Sequence, residues 1–478
     1  MLYFKLFACV CLDYIVRTLR AEWMVQTVNS NTEQNNKGVV GGEGSTSTNT
    51  SNASNSNQSS SVSEEIKYHE VEQYHYLMWK DFVAPEHPVG ILAFLRRMNE
   101  AYSHEKGPLL VHCSAGVGRT GTLVALDSLV MELDDEQQAS VYNLICDLRH
   151  QRNFLVQSLK QYVFIHRALM EYAQFGSTEQ TPQQLREAYV KHVSQVQQQA
   201  SSQILFQQFD LLSKVIEERK AFAVATSEEN KNKNRYDFVL PYDSNRVILS
   251  PIAGKPVNTY INGSFVSGFD LDEHFIVTQD PLENTVGDFW RMIYEQDVTT
   301  LVMLSELGSG DNLCMRYWPE EDEESTHEMI RVKLLSSESY PKFSSRVFQI
   351  TNSKTGDSRQ VTQFQYIGWS GMLGEVPVGT YGVMEVINRV QSHIHANLTA
   401  SMPAPVLIHC SGGGDRCSVY VCLNNCLRHL RREGRVDVFQ IARKIRSQRQ
   451  FMLQEPSQYE FCYKALIEYI DSKGLDNI

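Results

Sequence analysis

No stretch of the 478 residues approaches the roughly 18 consecutive apolar residues that a membrane-spanning helix needs. No two of the ten cysteines form a C-x-x-C pair. Cys9 and Cys11 stand two apart, and Cys410, Cys417, Cys422 and Cys426 gather on one segment. That excludes the usual zinc and disulfide frameworks and points to reduced thiols in an intracellular setting. Basic charge is in deficit: 44 Lys and Arg against 56 Asp and Glu leave a net charge of −12, which argues against a nucleic-acid binder. Residues 27–63 are almost empty of large apolar side chains and rich in Asn, Ser, Thr and Gly. Such a tract cannot bury enough surface to offset its ordering entropy and is expected to be a disordered insert. A strongly basic leader is missing too. Met1–Leu12 is apolar apart from Lys5 and has the look of a weak signal peptide. It runs straight into Asp13–Leu19, which alternates like a strand, so an ordinary strand or an artificial start is expected. What remains, 42% hydrophobic and 10% aromatic, is ample for the cores of two to four domains.

Against these absences stands one dense stretch, His112–Thr122, reading H-C-S-A-G-V-G-R-T-G-T. Pro108–Val111 before it is a short apolar run of buried-strand type, and Leu123–Leu133 after it is apolar at helical spacing. The stretch is therefore expected where a strand turns into a helix. That geometry aims backbone N–H groups and the positive helix end at one point, which suits a phosphate. Gly116, Gly118 and Gly121 let the backbone come close. Cys113 opens the loop and Arg119 closes it. A thiol at a helix N-terminus beside a guanidinium loses its proton below the free value of about 8.5. Arg119 can hold two phosphate oxygens with its planar fork. This is the equipment for phosphoryl transfer through a phosphocysteine. A buried structural cysteine is the plain alternative, disfavoured because Cys, three Gly and Arg must all coincide.

Strand-like Val71–Trp79 precedes the loop and delivers Trp79-Lys80-Asp81, then a helix from about Ile91 to Ala101. Gln151–Gln157 and Gln161 follow the loop, ahead of a helix running to Tyr172. Then the chain repeats itself. Val361–Trp369 echoes Val71–Trp79 at an offset of 290, and His409–Arg416 echoes His112–Arg119 at an offset of 297. Ser447–Gln454 echoes His150–Gln157 at the same 297. Two α/β domains, each with helices on a twisted mixed sheet, are expected in tandem: residues 1–178, a linker or connecting helix at 179–202, and residues 203–478. The second copy has a long lead containing Lys233–Tyr236, Tyr260–Asn262 and strands near Phe275 and Leu301. The first has no counterpart of it, so that domain is expected to start midway.

His112–Gly121 resembles the signature loop of the classical protein tyrosine phosphatases. The tandem arrangement is similar to the intracellular region of the receptor-type members. Trp-Lys-Asp and the Tyr-His-Tyr-Leu strand look closest to an insect neural receptor phosphatase. The resemblance implies that Cys113 attacks phosphorus, and that Arg119 with the N–H groups of Ser114, Ala115, Gly116, Val117 and Gly118 binds the phosphate. It makes Asp81 the general acid, and Gln157 and Gln161 the residues that position water. Thr120 either assists the departing thiolate or simply caps the helix. No metal and no cofactor is implied. The implied partners are phosphotyrosine proteins, not nucleic acid, and the implied location is the cytoplasmic side of a single-pass receptor. Lys80 departs from the family's proline, which would stiffen the loop, and places a cation beside the acid. The second copy keeps Cys410, Arg416, Gln454 and Tyr236. However, glycine (Gly371) stands where the acid belongs, Glu375 comes four residues late, Asp415 replaces a glycine and Cys417 replaces the hydroxyl residue. A regulatory or docking role is therefore expected for it. Two rivals remain open: a phosphotyrosine-binding protein with little turnover, and a dual-specificity phosphatase. Lys233–Tyr236 speaks against the latter, because in the family that tyrosine walls a pocket too deep for phosphoserine.

Overall fold

The computed structural model describes residues 4–10, 13–28, 62–80, 83–200, 203–215, 220–252, 259–270, 274–308, 310, 313–321, 323–369, 372–397 and 404–474. The chain divides into two compact units, Met1–Gln174 and Phe175–Ile478.

In the first unit, β1 (Phe4–Val10), β2 (Tyr14–Val28) and β3 (Val62–Tyr76) form an antiparallel sheet in sequence order. Strands β2 and β3 pair from Tyr14 against Tyr76 to Val28 against Val62. The ends of the expected insert are therefore strand, and its middle, 29–61, lies outside the described residues. Alternation along the strands turns Tyr14, Tyr74 and Tyr76 onto one ring, Phe94. Phe94 sits on α1 (Val89–Ala101), which is followed by α2 (Gly118–Glu136), α3 (Val141–Gln151) and α4 (Leu159–Phe175). Helical spacing fills the core with Ile91, Phe94, Leu95 and Met98 from α1, Ala125, Leu126 and Leu129 from α2, and Phe164, Ile165 and Ala168 from α4. Helix α3 has no counterpart in the elements read from the sequence.

One expectation fails in this unit. Pro108–Val111 is not a buried strand: the segment carries no strand pairing, and Leu110 is 89% exposed. The second unit explains why, since its matching segment is a strand only because it has parallel neighbours on both sides.

That second unit opens with α5 (Pro182–Gln197), α6 (Ile204–Lys214) and the short α7 (Ala223–Thr226). Strands β4 (Arg246–Ile248), β5 (Tyr260–Ser267) and β6 (His274–Gln279) lead to α8 (Val286–Glu295) and β7 (Thr300–Met303). Four antiparallel strands follow: β8 (Glu324–His327), β9 (Ile330–Ser339), β10 (Phe343–Asn352) and β11 (Ser358–Tyr366). The unit closes with α9 (Tyr381–Ala396), β12 (Val406–Cys410), α10 (Asp415–Glu433), α11 (Val438–Arg446) and α12 (Pro456–Lys473). The sheet order is β4-β5-β6-β12-β7-β11-β10-β9-β8. It is mixed, with β12 parallel to β6 and β7, and β7 parallel to β11. Along β12, Val406 and Ile408 face the core under α9 to α12, and Leu407 faces the core under α8. A central parallel strand is buried on both faces and reads as continuously apolar. Residues 108–111 have that composition without strands beside them among the described residues, so their backbone groups stay with solvent.

The segment 179–202, read as a linker or connecting helix, holds α5 and falls in this second unit. Thr181 and Gln184 form a capping box that starts α5, and Leu185 is fully buried in the main core.

Candidate active site

Both sites are built from two loops that meet at a helix N-terminus. In the first unit, β3 ends three residues before Trp79. The indole N–H of Trp79 donates to Val83 O at 2.7 Å, and its ring packs against Tyr76 and Phe164. Asp81, between these anchors, lies outside the described residues, while Lys80 is exposed. Arg119 reaches this loop, Nη1 donating to Trp79 O at 3.1 Å. That bond brings the Trp loop and the phosphate loop together.

The Gly116 N–H points at Cys113 Sγ, 3.2 Å away. Gly116 has φ +67°, a left-handed conformation that a side chain resists. Helix α2 starts at Gly118, so its first N–H groups lack intrahelical partners and face the loop. Burial disfavours ionisation of the Cys113 thiol. The Thr120 hydroxyl and the N–H groups of Thr120, Gly116 and Val117 outweigh it and lower the thiol to about 7. The Thr120 hydroxyl is buried, and Thr120 lies inside α2, whose N-cap is Val117. Ser114 and Ala115 are exposed, and Val117 and Arg119 half-buried. Gln161 accepts from the N–H groups of Gln157 (3.0 Å) and Ser158 (3.3 Å) through its side-chain oxygen. A Cβ on Gly118 would lie 3.0 Å from Gln161 Nε2 and 3.2 Å from Gln157 Oε1. Both glutamines therefore reach the end of the loop.

Arg152 also belongs to this site, and the sequence reading did not assign it a role. Its Nε donates to Gly116 O at 2.9 Å and its Nη2 toward Ala115 O at 3.4 Å. It pulls the loop carbonyls to the underside and leaves the amide hydrogens facing in. Its match, Arg449, does the same to Gly413 O (2.6 Å) and Gly412 O (3.3 Å). The signal was present, since an arginine recurs at this position in both copies.

The second site has the same frame and different chemistry. Trp369 donates to Glu375 O at 2.9 Å, and the Tyr366 and Trp369 rings repeat the Tyr76 and Trp79 arrangement. Gly371 lies outside the described residues. Glu375, four residues past the acid's position, accepts from Met372 N–H at 3.2 Å through Oε2, within its own loop. Every residue from Cys410 to Arg416 is buried. Tyr236 stands against the loop, its OH 3.1 Å from Ser411 Oγ and its ring 3.0 Å from where a Cβ on Gly412 would lie. Gln279 holds the Tyr236 segment by accepting from Arg235 N–H and donating to Lys233 O, both at 2.9 Å.

Asp415 stands at the position matching Gly118. Its Oδ1 accepts from Gly374 N–H at 3.1 Å and from the Gln458 amide, so it straps the Trp loop to the phosphate loop. Burial pushes the Asp415 carboxyl up, against the Gly374 N–H, the nearby Arg416 charge and Gln458. Arg416 donates to Leu304 O at 3.1 Å. Gln454, expected to match Gln157, turns back onto Met452 O at 3.1 Å. Beneath the loop, His409 binds Asp280 at 2.6 Å through Nδ1 and Tyr317 at 2.9 Å through Nε2. Asp280 and Asp415 both oppose ionisation of Cys410.

Comparison with known proteins gives a consistent result. A family model described as protein-tyrosine phosphatase matches residues 20–171 and 230–468. The chain is 48% identical over 412 residues to tyrosine-protein phosphatase 69D of Drosophila melanogaster, covering 86% of this chain and 28% of that protein. It is 36% identical over 404 residues to receptor-type tyrosine-protein phosphatase F of Mus musculus, covering 84% of this chain and 21% of that protein. The figures for tyrosine-protein phosphatase Lar of Drosophila melanogaster are 36%, 84% and 20%. The chain thus spans less than a third of the length of these curated relatives. Among the described residues no helix is long and apolar enough to cross a membrane.

Proposed function

We propose, from the premise that this chain belongs to the protein-tyrosine phosphatase family, that its first unit hydrolyses phosphotyrosine in proteins and its second unit serves as a docking or regulatory domain without turnover. The observation that carries the reading is the contrast at matched positions. The Cys113 thiol, lowered to about 7, has the Thr120 hydroxyl beside it and a glycine before Arg119, whereas Cys410 meets the Cys417 thiol and the Asp415 strap.

In the first unit the Cys113 thiolate attacks phosphorus while the phenolate leaves. That phenolate, with a pKa near 10, requires a proton, which Asp81 supplies. The inward amide hydrogens and Arg119 carry the charge that builds on the equatorial oxygens. Asp81 then takes a proton from a water positioned by Gln157 and Gln161. That water attacks phosphorus, phosphate departs, and the Thr120 hydroxyl receives the returning thiolate. Nothing in these steps calls for a metal or a cofactor. The exposed Ser114 and Ala115 match Ser411 and Gly412, which lie under Tyr236. The first pocket as described thus has its floor and not that wall, so the 478-residue chain is expected to turn over slowly.

A quench of the full chain with a radiolabelled phosphotyrosine peptide and with p-nitrophenyl phosphate, followed by peptide mapping, tests this. Label is expected on Cys113 and lost in Cys113→Ser. Asp81→Ala is expected to cut peptide turnover by orders of magnitude with affinity retained. Label on Cys410, or turnover that survives Cys113→Ser, would overturn the assignment.

A further inference from the structure

In the second unit the sulfur of Cys417 lies 3.2 Å from the sulfur of Cys410, its thiol directed at Cys410. Cys410 closes β12, and Cys417 is the third residue of α10. The matching pair in the first unit is Cys113 with the hydroxyl of Thr120, so the repeat has exchanged an oxygen for a second sulfur at one position. The two sulfurs are polarised against each other. Burial disfavours the Cys410 thiolate, but the hydrogen bond from Cys417 outweighs it, while burial and the same bond push Cys417 up. A thiol directed at its neighbour's sulfur at 3.2 Å is the arrangement in which an oxidised sulfur is intercepted by that neighbour.

We propose that Cys410 and Cys417 form an oxidation site for small hydroperoxides, which converts the pair to an intramolecular disulfide. The Cys410 thiolate attacks one peroxide oxygen. The S–O bond forms, the O–O bond breaks, and the departing hydroxide or alkoxide takes up a proton. Cys417 then gives up its proton and attacks the sulfur of the sulfenic acid. The S–S bond forms, the S–O bond breaks, and hydroxide leaves with that proton as water. Two electrons pass from the two thiols to the peroxide. Closing the pair from 3.2 Å to a bond of about 2.05 Å asks for little more than an ångström of movement. Both residues are almost fully buried, Cys410 at 1% and Cys417 at 0% exposure. Entry of peroxide is therefore the slow step, and the product is shielded from further oxygen. Cys113, half-buried and beside Thr120, has no thiol at the matching position to intercept it.

The test treats the full chain with hydrogen peroxide, blocks remaining thiols with iodoacetamide and maps tryptic peptides. Cleavage after Arg416 separates the two cysteines, so the disulfide appears as a linked pair of peptides that dithiothreitol releases. The link is expected in the wild-type chain and in Cys422→Ser and Cys426→Ser, and is expected to vanish in Cys417→Ser with Cys410 going on to sulfinic and sulfonic acids. A link that survives Cys417→Ser, irreversible oxidation of Cys410 in the wild type, or untouched Cys410 when Cys113 is fully oxidised would each overturn the proposal. None of these outcomes depends on which unit hydrolyses phosphotyrosine.

Discussion

Thr120 is the residue on which the reactivity of Cys113 turns, because its hydroxyl acts against burial at the sulfur. A thiol whose pKa is lowered is ionised above the lowered value, so nucleophilicity is expected to appear as pH rises through about 7. Alkylation of Cys113 by iodoacetamide, followed by mass spectrometry, should show that midpoint. Thr120→Ala should move it upward, since one of the bonds to the thiolate is lost. A wild-type midpoint near the free value of about 8.5, or one that Thr120→Ala leaves in place, contradicts the account. In the second unit the corresponding single-residue device is Asp415. A hydrogen bond to a charged acceptor contributes about 1.5–3 kcal/mol, so Asp415→Gly is expected to speed hydrogen exchange at the Gly374 amide roughly tenfold to a hundredfold. Unchanged protection there would mean that the strap carries no load. Adding Gly371→Asp to Asp415→Gly should give the second unit measurable hydrolysis of p-nitrophenyl phosphate, since proton donation and anion access return together.

Among elements, the turn after α3 and its counterpart after α11 show how one arginine takes on different weight. Arg449 is fully buried and also donates to Ser264 Oγ at 3.0 Å and Asn262 Oδ1 at 2.6 Å, while Arg152 is exposed and donates to the loop carbonyls. Removing Arg449 strands buried polar groups on β5, and Arg449→Ala is expected to cost about 3 kcal/mol in urea unfolding. Arg152→Ala should cost about 1 kcal/mol. Equal costs would show that β5 does not share in holding the loop. Much at this scale was legible beforehand. The helix carrying Arg119, the helix before Cys113 and the strand that leads to Trp79 all carry their own periodicity. Residues 108–111 misled because a central strand is a property of its neighbours, and apolar composition cannot report whether they are present. Asp415 was legible as a misplaced carboxylate. Its partners were not, because Gly374 and Gln458 lie 41 and 43 residues away and ordinary residue types reveal no such pairing. Arg152 was passed over for a different reason: its recurrence as Arg449 was visible, but a side chain directed at backbone carbonyls leaves no partner residue in the sequence to show its task.

For the molecule as a whole, the two units differ in what holds them. The second has a nine-stranded sheet with cores on both faces, and the first a three-stranded sheet with one core and with Leu110 in solvent. Stability follows apolar burial, so calorimetry of the full chain is expected to show two transitions, with the first unit melting at the lower temperature. Peptide-resolved hydrogen exchange during heating would assign them, and a single cooperative transition would contradict this expectation. The arginine that draws the loop carbonyls downward has one more consequence. With the oxygen end of the peptide pinned on one side, the dipoles of successive amides share an orientation, and the bowl keeps a positive electrostatic potential that no side chain in it has to supply. Such a bowl selects for tetrahedral shape and negative charge and is indifferent to the central atom. Vanadate, arsenate and sulfate are therefore competitors that the first unit has no backbone means of refusing, and what separates phosphate from them is the reaction that follows.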